Sequence, residues 1–312
     1  MIERKINTES PFVYHSDMVL VRDNLYRGKK NRLSLGGFLR LEEKNVINEF
    51  DRQIIMHVLD RGYVTRKCLN LCMESNKDSK QTLRKLCENG VLERYHYVYE
   101  HESSVKRTVN FYGLADAAKK ASVIGIRNSL SLSLNKNIRD FNYDYILDNP
   151  VSVLKMLEYN IMDVSLTKEY GEKIVKRFKN FQMKKGSIVY NQPYMYNVYG
   201  SGENNDRNNY LIIPVVVRRN QGWRKELFKE MNHILECVTM KFGDKTPILI
   251  VNTEDNKMAC EAAQKIKDYP LVNAAAVFFI SDWGVSSTEI LDNLLNIIKP
   301  EKEMYEIIQL QL

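Results

Sequence analysis

The segment 79–112 restricts the fold of this chain more than any other stretch. It begins Ser-Lys-Gln-Thr-Leu-Arg-Lys-Leu-Cys-Glu-Asn-Gly-Val-Leu-Glu-Arg and passes into a tyrosine-rich alternation. Ser79 can cap a helix on which Leu83, Leu86 and Cys87 share one face. Lys80, Gln81, Arg84 and Lys85 then fall on the opposite, exposed side, where they can reach phosphates and base edges. Asn89-Gly90 supplies the left-handed stop that a helix end favours, and Val91 and Leu92 re-enter the core as the chain becomes a strand. Tyr95, Tyr97 and Tyr99 alternate with Arg94, His96 and Val98, the period of a strand that packs its tyrosines against the helices. A polar tip over 101–106 reverses the chain into 108–114. This forms a hairpin from which Arg94, His96, Lys106 and Arg107 can touch phosphates.

Two further helices precede this segment. Phe50, Ile54, Ile55, Val58 and Leu59 recur at helical spacing, and Arg61-Gly62-Tyr63 ends that helix. Thr65 is placed to cap the next, which carries Cys68, Leu69, Cys72 and Met73 and ends in the turn 76–78. Three short helices with a tight turn between the last two, followed by a hairpin, predict a winged helix-turn-helix domain over 45–126.

Charge agrees with that assignment. Residues 1–125 hold 22 Lys and Arg against 16 Asp and Glu, whereas the remaining 187 residues hold 24 against 23. A basic excess at one end fits a polyanion-binding module joined to a domain with another task. Residues 1–44 lack sustained periodicity and read as a basic leader. Within it, Lys29, Lys30 and Arg32 are candidates for an arm along phosphates or in a minor groove. Five cysteines without paired spacing point to reduced thiols in a cytoplasmic protein. Cys68, Cys72 and Cys87 lack the further ligands of a zinc site and read as small buried residues. No apolar run reaches the roughly 18 residues of a membrane span, and the charged start is unlike a secretion signal.

Beyond this domain a helix is predicted at 115–126, then a connection over 127–149, with the domain boundary at Pro150. Helical patterns follow at 151–159 and 168–181, then a hairpin candidate at 187–199 and a hydrophilic loop at 200–209. Apolar strand-length runs at 210–217, 247–251 and 274–280 alternate with helical patterns at 223–241 and 256–267, and a last helix is predicted at 290–298. Alternation of this kind predicts a mainly parallel sheet covered by helices. The fold class is therefore α/β: an N-terminal winged helix-turn-helix followed by a mixed, mainly parallel α/β sheet domain over 150–312.

Three features together resemble the replication-relaxation family. They are the third helix reading Thr-Leu-Arg-Lys-Leu-Cys-Glu-Asn-Gly-Val-Leu-Glu-Arg, the return through Asn-Phe-Tyr-Gly-Leu, and the distal strand-helix-strand-helix order. The resemblance implies a protein of plasmids or mobile elements that joins a winged helix to a domain similar to restriction endonucleases. Such a nuclease places an acid near one strand end, and an acid and a lysine on the next strand, to hold Mg²⁺ and a water. Here the corresponding strand reads Ile-Ile-Pro-Val-Val-Val-Arg-Arg-Asn, without an acid. Glu226, Glu230 and Glu254 are nearby carboxylates, of which Glu226 and Glu230 share the solvated face of a helix, and Asp282 reads as a turn or cap after a strand. The chain contains no phosphate-binding loop, His-Glu-x-x-His or Gly-x-Ser-x-Gly motif.

The sequence thus predicts a sequence-specific double-stranded DNA-binding protein that is not an enzyme and needs no cofactor or metal. Its α/β domain would serve a homodimer or contact replication, transfer or transcription proteins, away from any membrane. The alternatives are a ligand-responsive transcription regulator and a metal-dependent nuclease.

Overall fold

The computed structural model describes residues 12, 17–23, 33–73, 79–101, 103–115, 147–185, 187–199, 209–218, 225–243, 245–268, 270–271, 274, 276–282 and 294–308. Lys29, Lys30 and Arg32, residues 116–126 of the helix predicted over 115–126, residues 200–208 of the loop predicted over 200–209 and most of the connection 127–149 lie outside them. Two compact units divide the chain, one spanning Tyr14–Asn160 and the other Met1–Val13 with Ile161–Leu312.

In the first unit, β1 (Val19–Asp23), α1 (Leu35–Glu43), α2 (Glu49–Arg61), β2 (Tyr63–Thr65), α3 (Arg66–Cys72) and α4 (Lys80–Glu88) precede β3 (Leu92–His101), β4 (Ser104–Arg107) and β5 (Phe111–Leu114). The leader expected over 1–44 is thus partly regular structure. Val19, Leu20 and Val21 find a partner in β3, and Ser34 caps α1 by accepting from the Gly37 amide at 3.1 Å. Neither partnership shows as periodicity, because β1 is short and its pairing is distant in sequence. Asn48 and Asp51 form a reciprocal capping box at the start of α2, and Gly62 ends it with φ of 80°. Thr65 caps α3 by accepting from the Cys68 amide at 3.1 Å.

Ser79 differs from its predicted role. It is fully buried and its hydroxyl donates to Asn70 Oδ1 at 2.6 Å, so it ties α4 to α3 instead of capping α4. Asn89-Gly90 behaves as expected, with φ of 71° at Gly90 and the Val91 amide closing on the Leu86 carbonyl at 2.9 Å.

β3 is the spine of a five-stranded antiparallel sheet. It pairs with β1 on one edge, and on the other with β5 through Leu92–Tyr95 and with β4 through Val98–His101. The return of the predicted hairpin breaks into two strands at Thr108. There the Tyr97 amide donates to the Thr108 hydroxyl at 2.9 Å, and the Thr108 amide donates to the Tyr97 carbonyl at 2.8 Å. Tyr95, Tyr97 and Tyr99 are buried, and Tyr63, Tyr95, Tyr97 and Phe111 pack with ring centroids 5.6–6.3 Å apart. Burial of each such ring contributes on the order of 2 kcal/mol.

Helix α5 (Pro150–Tyr170) replaces the shorter helix expected after Pro150. The division between the units falls within it, because Asn160 is tied into the first unit. Its amide donates to the Tyr63 carbonyl at 2.6 Å, and its carbonyl accepts from the Cys68 thiol at 3.5 Å.

The second unit continues with β6 (Ile174–Lys185), β7 (Ile188–Tyr199), β8 (Asn209–Val216), α6 (Lys225–Lys241), β9 (Thr246–Thr253), α7 (Asn256–Asp268), β10 (Ala276–Ser281), β11 (Leu294–Lys299) and β12 (Met304–Ile308). The seven strands follow the order β12-β11-β10-β9-β8-β7-β6. Only β8–β9 and β9–β10 are parallel and the other neighbours are antiparallel, so the sheet is mixed rather than mainly parallel. Two predicted helices account for the difference. Most of 168–181 is strand β6, and 294–298 of the predicted last helix belongs to strand β11. Both segments carry apolar residues that suit either period, and cross-strand partners decide the outcome.

Leu211, Ile213 and Val215 of β8, with Val217 just beyond its end, alternate onto one face, where they join Leu249, Val251 and Phe279 beneath Phe228, Met231, Leu235 and Val238 of α6 and Met258, Ala259 and Ala262 of α7. Tyr196 lies on the opposite face. Its hydroxyl donates to the buried Asp163 at 2.8 Å, and Arg177 grips the same carboxylate with Nε and Nη2. Pro214, unusual inside a central strand, is tolerated because β7–β8 pairing ends at Tyr196–Ile212. Beyond that point the Gln192 amide donates to the Pro214 carbonyl at 2.7 Å.

Candidate nucleic-acid interface

Helix α4 separates its two faces as the sequence requires, with Leu83, Leu86 and Cys87 buried and Lys80, Gln81 and Arg84 exposed. Arg84 lies along the helix surface, its Nε donating to Glu88 at 2.7 Å, and that contact raises the guanidinium pKa. Such an exposed pair is weak and exchanges readily for a phosphate.

Lys85 departs from the predicted exposed side. Its ammonium donates to the Asp51 carboxylate and to the Val46 carbonyl, the latter at 3.2 Å, while Asp51 is buried within the α2 capping box. Helical spacing alone put Lys85 near Arg84. The approach of α2 turns it inward.

A cleft of about 550 Å³ opens beside α4, lined by Arg66, Lys80, Arg84, Glu88, Arg94, Asn110 and Tyr112. The elements place these groups for local reasons. Arg66 is the first residue of α3 after the Thr65 cap, Lys80 and Arg84 lie one turn apart on α4, and Arg94 and Tyr112 face each other in the β3–β5 register. Arg94 Nε donates to Asp23 at 2.8 Å from the neighbouring strand, which holds the guanidinium extended. Burial raises the Tyr112 hydroxyl pKa, and Arg94 pulls it the other way. Among the described residues, four cationic side chains thus border one opening against one carboxylate, Glu88. Arg66, Asn110 and Tyr112 were not singled out from sequence. The signal for Arg66 was its position directly after a capping threonine.

The hairpin residues separate. Lys106 is half-buried and Arg107 exposed on β4, opposite Tyr99 and Val98. His96 is 7% exposed with Asp23 3.3 Å from its Nδ1, so it cannot meet a phosphate as the alternation suggested.

At the carboxyl ends of β8, β9 and β10 the second unit assembles a polar cluster. Arg218 is 2% exposed, and its Nη2 donates to Asn252 at 2.7 Å and to Asp282 at 2.6 Å, while Nη1 donates to the Val217 carbonyl at 3.0 Å. Asp282, expected as a turn or cap, directly follows β10 and is the half-buried ion-pair partner of Arg218. The guanidinium occupies the mouth of the parallel strands, where ligands of α/β sheets commonly bind. Among the described residues no three His, Cys, Asp or Glu side chains group as a metal site requires, and no helix is long and apolar enough to cross a membrane. No family model, curated protein or solved structure matches the chain.

Proposed function

We propose that the Tyr14–Asn160 unit is a winged-helix module that binds double-stranded DNA, with α4 as recognition helix and the β3–β4 hairpin as wing. The observation that carries this reading is the cleft beside α4, where Arg66, Lys80, Arg84 and Arg94 converge from three elements. A guanidinium or ammonium at such an opening matches phosphate oxygens and the acceptor edge of guanine. Gln81, exposed on the same helix, adds a donor and an acceptor for a base edge. Lys106 and Arg107 on the wing supply contacts to the flanking backbone, which position the helix without reading sequence.

The second unit acts without catalysis in this reading. Arg218 stands at the strand ends where a nuclease would gather acids, and a cation there opposes Mg²⁺. The unit serves self-association or a replication, transfer or transcription partner, in keeping with the resemblance to the replication-relaxation family and its plasmid or mobile-element setting.

The test is selection of bound fragments from genomic DNA, followed by titration of the chosen duplex. Arg84→Ala should weaken the selected site roughly tenfold or more while leaving random duplex less affected, and Lys106→Ala should weaken both alike. Equal affinity of both variants and the wild type for both duplexes would refute the assignment.

A further inference from the structure

We propose that the β6–β7 hairpin is a second nucleic-acid element, which lies along the phosphate backbone of a duplex through Lys176, Lys184 and Lys241. This goes beyond the α4 reading and does not depend on it. Residues 173–199 hold six Lys and Arg and no Asp or Glu, whereas the rest of 161–312 holds 14 basic residues against 19 acidic. The near-neutral balance of the unit conceals a strongly basic ribbon on an acidic body.

Among the described residues β6 is an edge strand, paired with β7. Lysines on an edge can serve simply to prevent pairing with other chains. Here the arrangement is more specific. Lys176 Nζ stands 5.0 Å from the Phe178 ring centroid, and Lys241 Nζ, from the end of α6, stands 4.6 Å from that of Phe181. Phe178, Phe181 and Phe242 pack together with centroids 5.3–5.7 Å apart, so one aromatic cluster positions two ammonium groups from different elements. A ring holds an ammonium without neutralising its charge, which leaves an anion to be supplied from outside. Arg177 makes the contrast, since Asp163 already answers its charge.

Lys184 is exposed near the hairpin turn, beyond the point where β7–β8 pairing ends. Strand rise puts Lys176 and Lys184 at most about 26 Å apart, a span that the left-handed Asn180 between them shortens. Cations spread along a line match successive phosphates of a duplex better than a single small anion, and a two-stranded ribbon is narrow enough for a groove.

The experiment uses the full chain with Lys176, Lys184 and Lys241 changed together to Ala, a second set changed to Arg, and Lys184→Glu alone at its exposed position. Fluorescence anisotropy with a random-sequence duplex is read across a salt series, and urea unfolding checks that each variant is folded. The Ala set should lose about 2–3 from the magnitude of the log-affinity against log-salt slope and bind roughly tenfold or more weakly, and the Arg set should retain both. Lys184→Glu should weaken binding in the same direction. Wild-type slope and affinity in the Ala set and in Lys184→Glu would overturn the proposal. So would a loss confined to phosphatidylserine vesicles or to single-stranded DNA. If Arg84→Ala and Lys106→Ala leave duplex binding intact while the Ala set abolishes it, the α4 reading fails and the ribbon proposal stands. The reverse pattern overturns the ribbon proposal alone.

Discussion

Arg84 and Lys85 are adjacent cations with different tasks. Lys85 answers a buried carboxylate, so Lys85→Ala leaves the Asp51 carboxylate to its capping-box contact with the Asn48 amide and should cost about 1–3 kcal/mol in urea unfolding. Its folded form should still bind duplex DNA as the wild type does, whereas Arg84→Ala should lose binding with little change in the unfolding midpoint. Cys72 and Cys87 diverge in the same manner. Cys68, whose single thiol proton can serve either the Asn160 carbonyl or the Cys72 sulfur, is the main cause that lowers the half-buried Cys72 thiol from 9.0 to about 5, aided by His57 and Arg61 against the effect of burial, and burial pushes the Cys87 thiol up to about 12. Iodoacetamide at pH 7 should therefore label Cys72 well before Cys87, as peptide mapping would read, and the Cys72 rate should stay nearly flat from pH 8 down to 6. Because its folded value lies below its unfolded value, the stabilisation from the Cys72 thiolate is fully present only above about pH 9 and is lost as pH falls through about 5.

Elements in this chain are held by side chains that cross between them. Gly113 is required where β5 passes Tyr63, since a Cβ there would meet the ring carbon Cε1 at 2.4 Å. That ring is fixed against Tyr95 and Phe111. Gly113→Ala should therefore destabilise the protein by about 1–3 kcal/mol in urea unfolding. An unchanged midpoint would mean that the aromatic cluster yields more easily than its packing implies. Arg218 performs the corresponding bridging in the second unit, joining the ends of three strands. Arg218→Ala leaves Asp282 without its guanidinium partner and should cost about 3 kcal/mol, and a loss below about 1 kcal/mol would show that the pair does not brace the sheet.

For the whole molecule, the distribution of charge matters more than its sum. The formal net charge is +7, and nearly all of it belongs to residues 1–125, yet the acid-free ribbon in the second unit escapes any count made over that unit as a whole. The molecule-wide expectation for chemistry follows from Arg218. Incubation of the full chain with supercoiled and linear DNA in Mg²⁺ or Mn²⁺ should leave the DNA intact. Cleavage that disappears in Glu254→Gln or Asp282→Asn would contradict a non-catalytic second unit.

The local features are legible in adjacent residues: the Gly62 stop of α2, the Thr65 cap of α3, the two faces of α4, the stop at Gly90, and the inward tyrosines of β3. Each depends on neighbours within a turn or on a period of two, and such interactions are written in adjacent residues. Packing between elements settled the rest. It turned Lys85 toward Asp51, gave Ser79 to Asn70, paired β1 with β3, and joined Arg218 to Asp282. It also made β6 and β11 strands where apolar spacing suited helices. For Lys85, β1 and Arg218 the deciding partner is distant in sequence, and for β6 and β11 it is the neighbouring strand, so the stability of a strand or a buried charge comes from that partner rather than from the residue's own apolar spacing.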